Sequence, residues 1–386
     1  MKSASTLFVE PEDRLRALRH WAEAQQFSPP WWLRQPDVQT AWYVIREIAA
    51  ALKDRRASST LVWDYVVGQH AKEEKISRNP EGVTADAEAS RPGRPLINEE
   101  VFPVNIPFDD DGYLTAILHL TGDRRRLAIL FHGLEGSIEA TYMRGASREL
   151  LRKGISVLRV NMVNCGGSEG CSRRFYHAGF TLMLEIAVQW AITNGFERVT
   201  IVGFSLSANL VLKYLGGSNF SGCAEVCGGV AVCPPIDLAQ GVAQIDRPRN
   251  VFYRYRFLKS MLKTLEKKQR LFPDLFPVPV TNVKTIAEFD DRYTARACGF
   301  PSGREYYRRT SSLPYLNKIA LPTLLLHSQD DIFIPFDAFR RFDWQCNPCL
   351  ITLFPRHGGH VGFHSSAREN WMERSIAEFA ERLTHF

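Results

Sequence analysis

Between Val101 and Phe354 the chain keeps returning to one pattern, a short apolar run followed by a stretch with helical spacing. Leu127–Phe131, Ile155–Val160, Val199–Val202, Gly229–Cys233, Thr323–Leu326 and Leu350–Phe354 read as strands. Met143–Arg152, Ala178–Ile192 and Ala208–Leu215 read as the helices between them. Strands apolar on both faces must be covered on both faces, which predicts a mainly parallel sheet between two helical layers. Val101–Pro107 and Tyr113–Leu120 flank the turn residues Asp109–Gly112 and read as a hairpin.

Two regions depart from the alternation. Leu238 to Leu313 carries no strand pattern and reads as a helical insertion, placed where a lid would cover the carboxyl ends of the strands. Upstream, Glu10–Lys53 shows apolar residues at three- and four-residue spacing on either side of Pro29-Pro30, which breaks the helix. Lys72–Arg94 is polar and reads as a linker. The expected organisation is a helical N-terminal extension and linker (1–95), a first core segment (96–237), the lid (238–315) and a second core segment (316–386).

A chain of 386 residues, 45% of them hydrophobic, can build such a core without disulfides or metals. Its eight cysteines sit mostly in apolar runs and read as buried thiols of a reduced compartment. Cys346-Asn-Pro-Cys349 lacks the second pair a zinc site needs. A net charge of +6, scattered along the chain, argues against nucleic acid as a partner. The first ten residues break into charge too early for a signal peptide, and no run approaches the roughly 18 apolar residues of a membrane span. A cytoplasmic protein without cofactor is expected.

The segment with most chemical content is Val199-Thr-Ile-Val-Gly-Phe-Ser-Leu-Ser-Ala-Asn209, a strand that turns directly into a helix at Ser205. Such a nucleophile elbow forces the serine backbone into strain, so small residues are needed two positions to each side. Gly203 is one, and Ser207 stands where glycine is usual. An acid and then a histidine should follow in chain order. Pro322–Pro335 is a strand ending in Asp330 and Asp331, and Leu350–His360 is a strand ending in histidines. His360, after the flexible Gly358-Gly359, is the expected general base, because an imidazole can take the serine proton and return it. Asp331 fits the acid-loop frame, with Asp330 the alternative whose other role is to cap the turn. His357, His364 and His327 read as surface or supporting residues. Phe131-His-Gly-Leu-Glu-Gly136 follows the first wholly apolar strand, so the amides of Leu134 and Leu206 are expected to form an oxyanion hole, with His132 packed beneath.

These motifs resemble the YheT-like branch of the α/β-hydrolases, whose members are described as esterases and lipases. The likeness runs through His132–Ser137, Asn164–Ser168, Tyr176–Gly179, Glu288–Thr294, Gly299-Phe300, Tyr306-Tyr307, Ser311-Ser312 and His357–Phe363, with Pro29–Leu33 and Gln39-Thr40 upstream. It implies the α/β-hydrolase fold, the triad Ser205, Asp331 and His360, and a carboxylic ester as substrate. The chain departs from the pattern at Ser207, in the long stretch between Thr40 and Phe108, and at Thr181–Leu184, which lacks an acidic residue and leaves the role of His177 open.

From Asp246 to Arg270 nine basic residues face two acidic ones, interleaved with Phe252, Tyr253, Tyr255 and Phe257. This is either a basic, aromatic lid that meets an anionic substrate or a membrane surface, or a solvated helix with its aromatic side on the sheet. The function expected is a serine hydrolase of small acyl esters. An acyltransferase using the same acyl-enzyme is the alternative, and a binding module that has lost catalysis is the reading from another class.

Overall fold

The computed structural model describes residues 11–42, 100–109, 112–217, 220, 222–275 and 279–384. The expected linker Lys72–Arg94, the part of the second helical stretch beyond Trp42 and the turn at 110–111 lie outside the described residues. Residues 1–42 and 99–386 belong to one unit, and everything below concerns that unit.

Its sheet contains eight strands, β1 (Glu100–Asp109), β2 (Gly112–Leu120), β3 (Arg126–Phe131), β4 (Ser156–Val160), β5 (Arg198–Phe204), β6 (Val226–Val232), β7 (Thr323–Leu326) and β8 (Leu350–Leu353). Their order is β1-β2-β4-β3-β5-β6-β7-β8. β1 pairs antiparallel with β2, and β2 with β4, while every other pair is parallel. Strand periodicity explains the two cores. In β3, Leu127, Ile129 and Phe131 pack with Met183, Ala187 and Leu212 on one face of the sheet. Ala128 and Leu130 pack with Met143, Leu150, Ile376 and Phe379 on the other. β2 alternates buried with half-exposed residues, as a strand near the edge should.

The first face carries helices α3 (Leu182–Thr193) and α4 (Leu206–Leu215), and the second carries α2 (Thr141–Arg152) and α8 (Trp371–Thr384). α1 (Pro11–Ala24) adds Leu18 and Trp21 to the second face, where Trp21 donates to Glu378 at 3.0 Å. The insertion after β6 holds α5 (Leu238–Ile245), α6 (Val251–Leu271) and α7 (Gly303–Thr310), with no strand among its described residues. α3 starts four residues later than its pattern predicts. His177–Thr181 instead makes tight turns, with Phe180 N–H on the His177 carbonyl and Thr181 N–H on that of Gly179. Among the described residues no helix is long and apolar enough to cross a membrane.

Candidate active site

β5 lies in the middle of the sheet, and the chain leaves its carboxyl end through Ser205. Ser205 has φ +54° and ψ −116°, a conformation costly for a residue with a Cβ. The turn tolerates no bulk behind it, because a Cβ on Gly203 would stand 2.4 Å from the Ser207 carbonyl oxygen. Ser207 is fully buried and its hydroxyl is used. It accepts from Phe204 N–H at 2.8 Å and lies 2.6 Å from the Phe131 carbonyl, joining the elbow to β3.

Ser205 Oγ is 2.9 Å from His360 Nε2, and His360 Nδ1 is 2.8 Å from Asp331 Oδ2. The second oxygen of Asp331 accepts the N–H groups of Phe333 and Ile334 at 2.8 and 2.9 Å. Burial pushes the Asp331 carboxyl up, but His360, His327 and the Ile334 N–H outweigh it and hold it below its ordinary value. Asp330 does not touch His360. It accepts Gly359 N–H at 2.9 Å and lies 3.2 Å from His357 Nδ1, so it braces the loop that carries His360. His327 is buried against Phe339, and burial draws it down to about 4. His364 is joined to Gln39 by two backbone contacts, 2.7 Å from its N–H and 3.1 Å to its carbonyl.

The histidine loop is held from far away in sequence. His360 N–H donates to Thr40 Oγ1 at 2.9 Å, and Ser328 Oγ donates to the Gly359 carbonyl at 2.6 Å. Gly359 has φ +58°, and a Cβ there would stand 2.5 Å from the Pro36 carbonyl. Gln39 and Thr40 appeared in the sequence only as part of a family likeness, and nothing local announced their contact with His360.

His132 sits fully buried beneath its loop, accepting Met162 N–H on Nε2 at 3.0 Å, and burial draws it down to about 4. The Gly133 N–H is engaged by Tyr142 Oη at 3.0 Å. Leu206 opens α4, so its N–H has no acceptor within the helix, and Leu134 lines the same pocket as Ser205. Glu135 ties this loop to α6. It stands at φ +53° and accepts from Tyr176, Ser260 and Thr264 hydroxyls at 2.7, 2.7 and 2.9 Å.

Over the site α6 divides its aromatic residues. Tyr253 and Phe257 pack on Phe333, whose ring meets that of His360 at 4.9 Å. Phe252 and Tyr255 stay exposed. The cations divide likewise, Arg249 in the turn before α6 pairing with Asp37 and Lys267 of α6 with Glu169, while Lys259 and Lys263 face solvent. Beneath the insertion is a pocket of about 720 Å³ including its open mouth, lined by Ser205, Leu206 and mostly apolar side chains.

Cys233, Asp331 and His360 present donor atoms within 4.8 Å of one another. They are poorly suited to a metal. His360 and Asp331 already engage each other, and burial raises the Cys233 thiol well above its ordinary value, away from the thiolate a metal needs. All eight cysteines are free.

A family model described as the alpha/beta hydrolase fold matches residues 129–367, more than half of the chain. The Escherichia coli K12 protein named "Putative esterase YheT" is 29% identical over 259 residues, 65% of this chain and 75% of that one. Two Saccharomyces cerevisiae proteins follow, "Medium-chain fatty acid ethyl ester synthase/esterase 2" at 25% and "Monoacylglycerol lipase" at 26% identity. The matches cover 66% and 67% of this chain but only 61% and 58% of those relatives. Among solved structures, the Pyrococcus furiosus esterase Pf2001 superposes with a TM-score of 0.50 at 21% identity, over 74% of this chain and 91% of that one. That likeness speaks to the fold alone.

Proposed function

This chain belongs to the alpha/beta hydrolase fold family, and from that premise we propose that it hydrolyses carboxylic esters with Ser205 as nucleophile. The observation that carries the reading is the continuous hydrogen-bonded line from Ser205 Oγ through His360 to Asp331. Ser205 Oγ attacks the acyl carbonyl carbon while its proton passes to His360 Nε2. Asp331 keeps the other ring nitrogen protonated and stabilises the imidazolium that forms. The oxyanion accepts from the N–H groups of Leu134 and Leu206, each worth roughly 3–4 kcal/mol of transition-state stabilisation. The tetrahedral adduct collapses, the C–O bond to the alcohol breaks, and His360 gives that alcohol its proton. Water then attacks the acyl-Ser205 ester by the same steps and releases the acid.

The names of the E. coli and yeast relatives support ester chemistry for this scaffold. One of them names an ethyl ester synthase as well as an esterase, which favours a second reading in which an alcohol replaces water at the acyl-enzyme. Reaction with a fluorophosphonate probe tests the nucleophile. Native protein should be labelled and the Ser205→Ala variant should not, with ester turnover lost in parallel. A folded native protein that neither labels nor turns over short esters would end the proposal. Adding ethanol to an active preparation separates the two readings, since transfer diverts the acyl group into its ethyl ester.

A further inference from the structure

Among the polar residues that line the pocket and take no part in the ester-cleaving steps, two bear on what it can bind. His177 is the first. Its Nδ1 accepts the Gly179 N–H at 3.1 Å, so a neutral ring carries its proton on Nε2. Burial, with Lys213 nearby, draws the ring down to about 4, so it is neutral in ordinary buffers. Nε2 has no partner among the described residues, and the residue lines the pocket that contains Ser205. The turn beneath it is rigid. Tyr306 Oη receives Ala178 N–H at 3.0 Å, Asn209 donates to the Ala178 carbonyl at 2.8 Å, and the ring stacks on Phe180.

Asp290 is the second, in the same pocket and 6% exposed. It receives the Tyr307 hydroxyl at 2.8 Å and that of Thr294, and no cation pairs with it among the described residues. Burial pushes it up to about 6. It belongs to the π-helical turn 290–294, a rare geometry that recurs at functional sites. Four acceptor positions on a carboxylate leave room for another donor after these two. A buried, unpaired carboxylate is costly in an apolar wall, and such costs concentrate at binding sites.

We propose that His177 and Asp290 form a polar subsite in this pocket that receives a hydroxyl group, so that the substrate is an ester carrying a free hydroxyl. The inference rests on the ester-hydrolase reading and narrows its substrate class. The choice of ligand follows from the pair. An ammonium group would suit Asp290 but would meet the His177 N–H donor to donor. A carboxylate or phosphate would suit His177 but would be repelled by Asp290. A hydroxyl accepts from the first and donates to the second.

The test compares isosteric esters that differ by hydroxyl against methyl. One pair is 2-hydroxyethyl against propyl butanoate, the other ethyl 6-hydroxyhexanoate against ethyl heptanoate, so either arm of the ester can carry the group. Native protein should show kcat/KM in favour of the hydroxylated partner by about 10- to 100-fold in at least one pair, because an unfilled polar subsite penalises the methyl analogue. His177→Phe keeps the ring stacking and should bring the ratio near one, as should Asp290→Leu. His177→Gln keeps a donor at the Nε2 position and should retain most of the preference. A role in folding alone would lower both esters together and leave their ratio intact. Native protein that labels with fluorophosphonate and turns over both partners equally overturns the subsite, as does a ratio untouched by His177→Phe. Failure to label or to turn over any ester overturns the hydrolase reading, and the subsite with it.

Discussion

The nucleophile elbow and the histidine loop meet at a distance of 2.9 Å, yet they are built in opposite ways. The elbow is local. Eleven consecutive residues, Val199–Asn209, supply the strand, the strained serine, the glycine behind it and the helix after it. The histidine loop is assembled from afar, with His360 N–H on Thr40, Gly359 N–H on Asp330 and the Gly359 carbonyl on Ser328. Its backbone contains φ values of +58°, +56° and +52° at Gly359, Val361 and Phe363, a run that only tertiary contacts can hold. Core packing protects the first geometry, and a few hydrogen bonds to the N-terminal segment and to the loop after β7 protect the second. Damage to the elbow should therefore cost fold first, with activity lost where the serine itself is displaced, whereas damage to the loop should cost mainly activity.

The largest effect expected lies where the two meet. In Asp331→Asn the amide oxygen stays on the Phe333 and Ile334 N–H groups and the NH2 faces His360 Nδ1, a donor where an acceptor is needed, so kcat should fall by about 10⁴-fold with little change in structure. Asp330→Asn can still accept Gly359 N–H through its amide oxygen and should lose less than about tenfold. Equal losses would reassign the acid. Acid stability gives an independent check. The Asp331 carboxyl is held below its unfolded value of 3.8, so its contribution is fully present above about pH 4 and is lost as pH falls through the folded value. Melting temperature against pH should accordingly show a shallower acid limb in Asp331→Asn than in native protein.

Two glycine variants test the contrast directly. Gly203→Ala drives a Cβ into backbone that cannot move aside, and should cost about 1–3 kcal/mol together with activity. Gly359→Ala meets the Pro36 carbonyl and Thr40 in a loop that can shift, so kcat/KM should fall about 100-fold while the melting temperature drops less. A larger stability loss at Gly359 than at Gly203 would invert the comparison.

The same division explains what could be read from the sequence. All eight strands were legible, six as continuous apolar runs and the first two as a hairpin around its turn residues, and Ser205 was legible because its elbow is contiguous. Chain order pointed to Asp331 and His360, but the choice against Asp330 rested on a frame, and only the loop geometry separates their roles. Thr40 on His360, Glu135 under Ser260 and Thr264, and the His177 N–H left without a partner among the described residues were not legible. Each depends on a partner more than a hundred residues away or on which ring nitrogen a turn happens to engage.

Thr40→Val should sharpen the contrast from the loop side. It removes the acceptor of His360 N–H and keeps the shape, at a cost of about 1 kcal/mol in hydrogen bonding. That freedom is felt at the base, so kcat/KM should drop about 3- to 10-fold while fluorophosphonate labelling still goes to completion and the melting temperature changes little.

The smallest effect on activity belongs to Ser207→Ala, and its value is that it should reverse the Thr40 result. The Ser207 hydroxyl is the acceptor for the buried Phe204 N–H and reaches the Phe131 carbonyl of the next strand, so its loss orphans a donor inside the core. About 1–3 kcal/mol of stability should go with it, read as a lower urea midpoint at unchanged slope. Ser205 keeps its strained φ because Gly203 and the first turn of α4 impose it, so kcat/KM should stay within about threefold of native. A hydroxyl is thus more than tolerated where glycine is usual: it supplies a strand-to-elbow bond that glycine cannot make. If Ser207→Ala instead lost activity at full stability, the elbow would depend on that bond for its alignment. Nucleophile and base would then be alike in relying on single hydrogen bonds, and the contrast between them would fall.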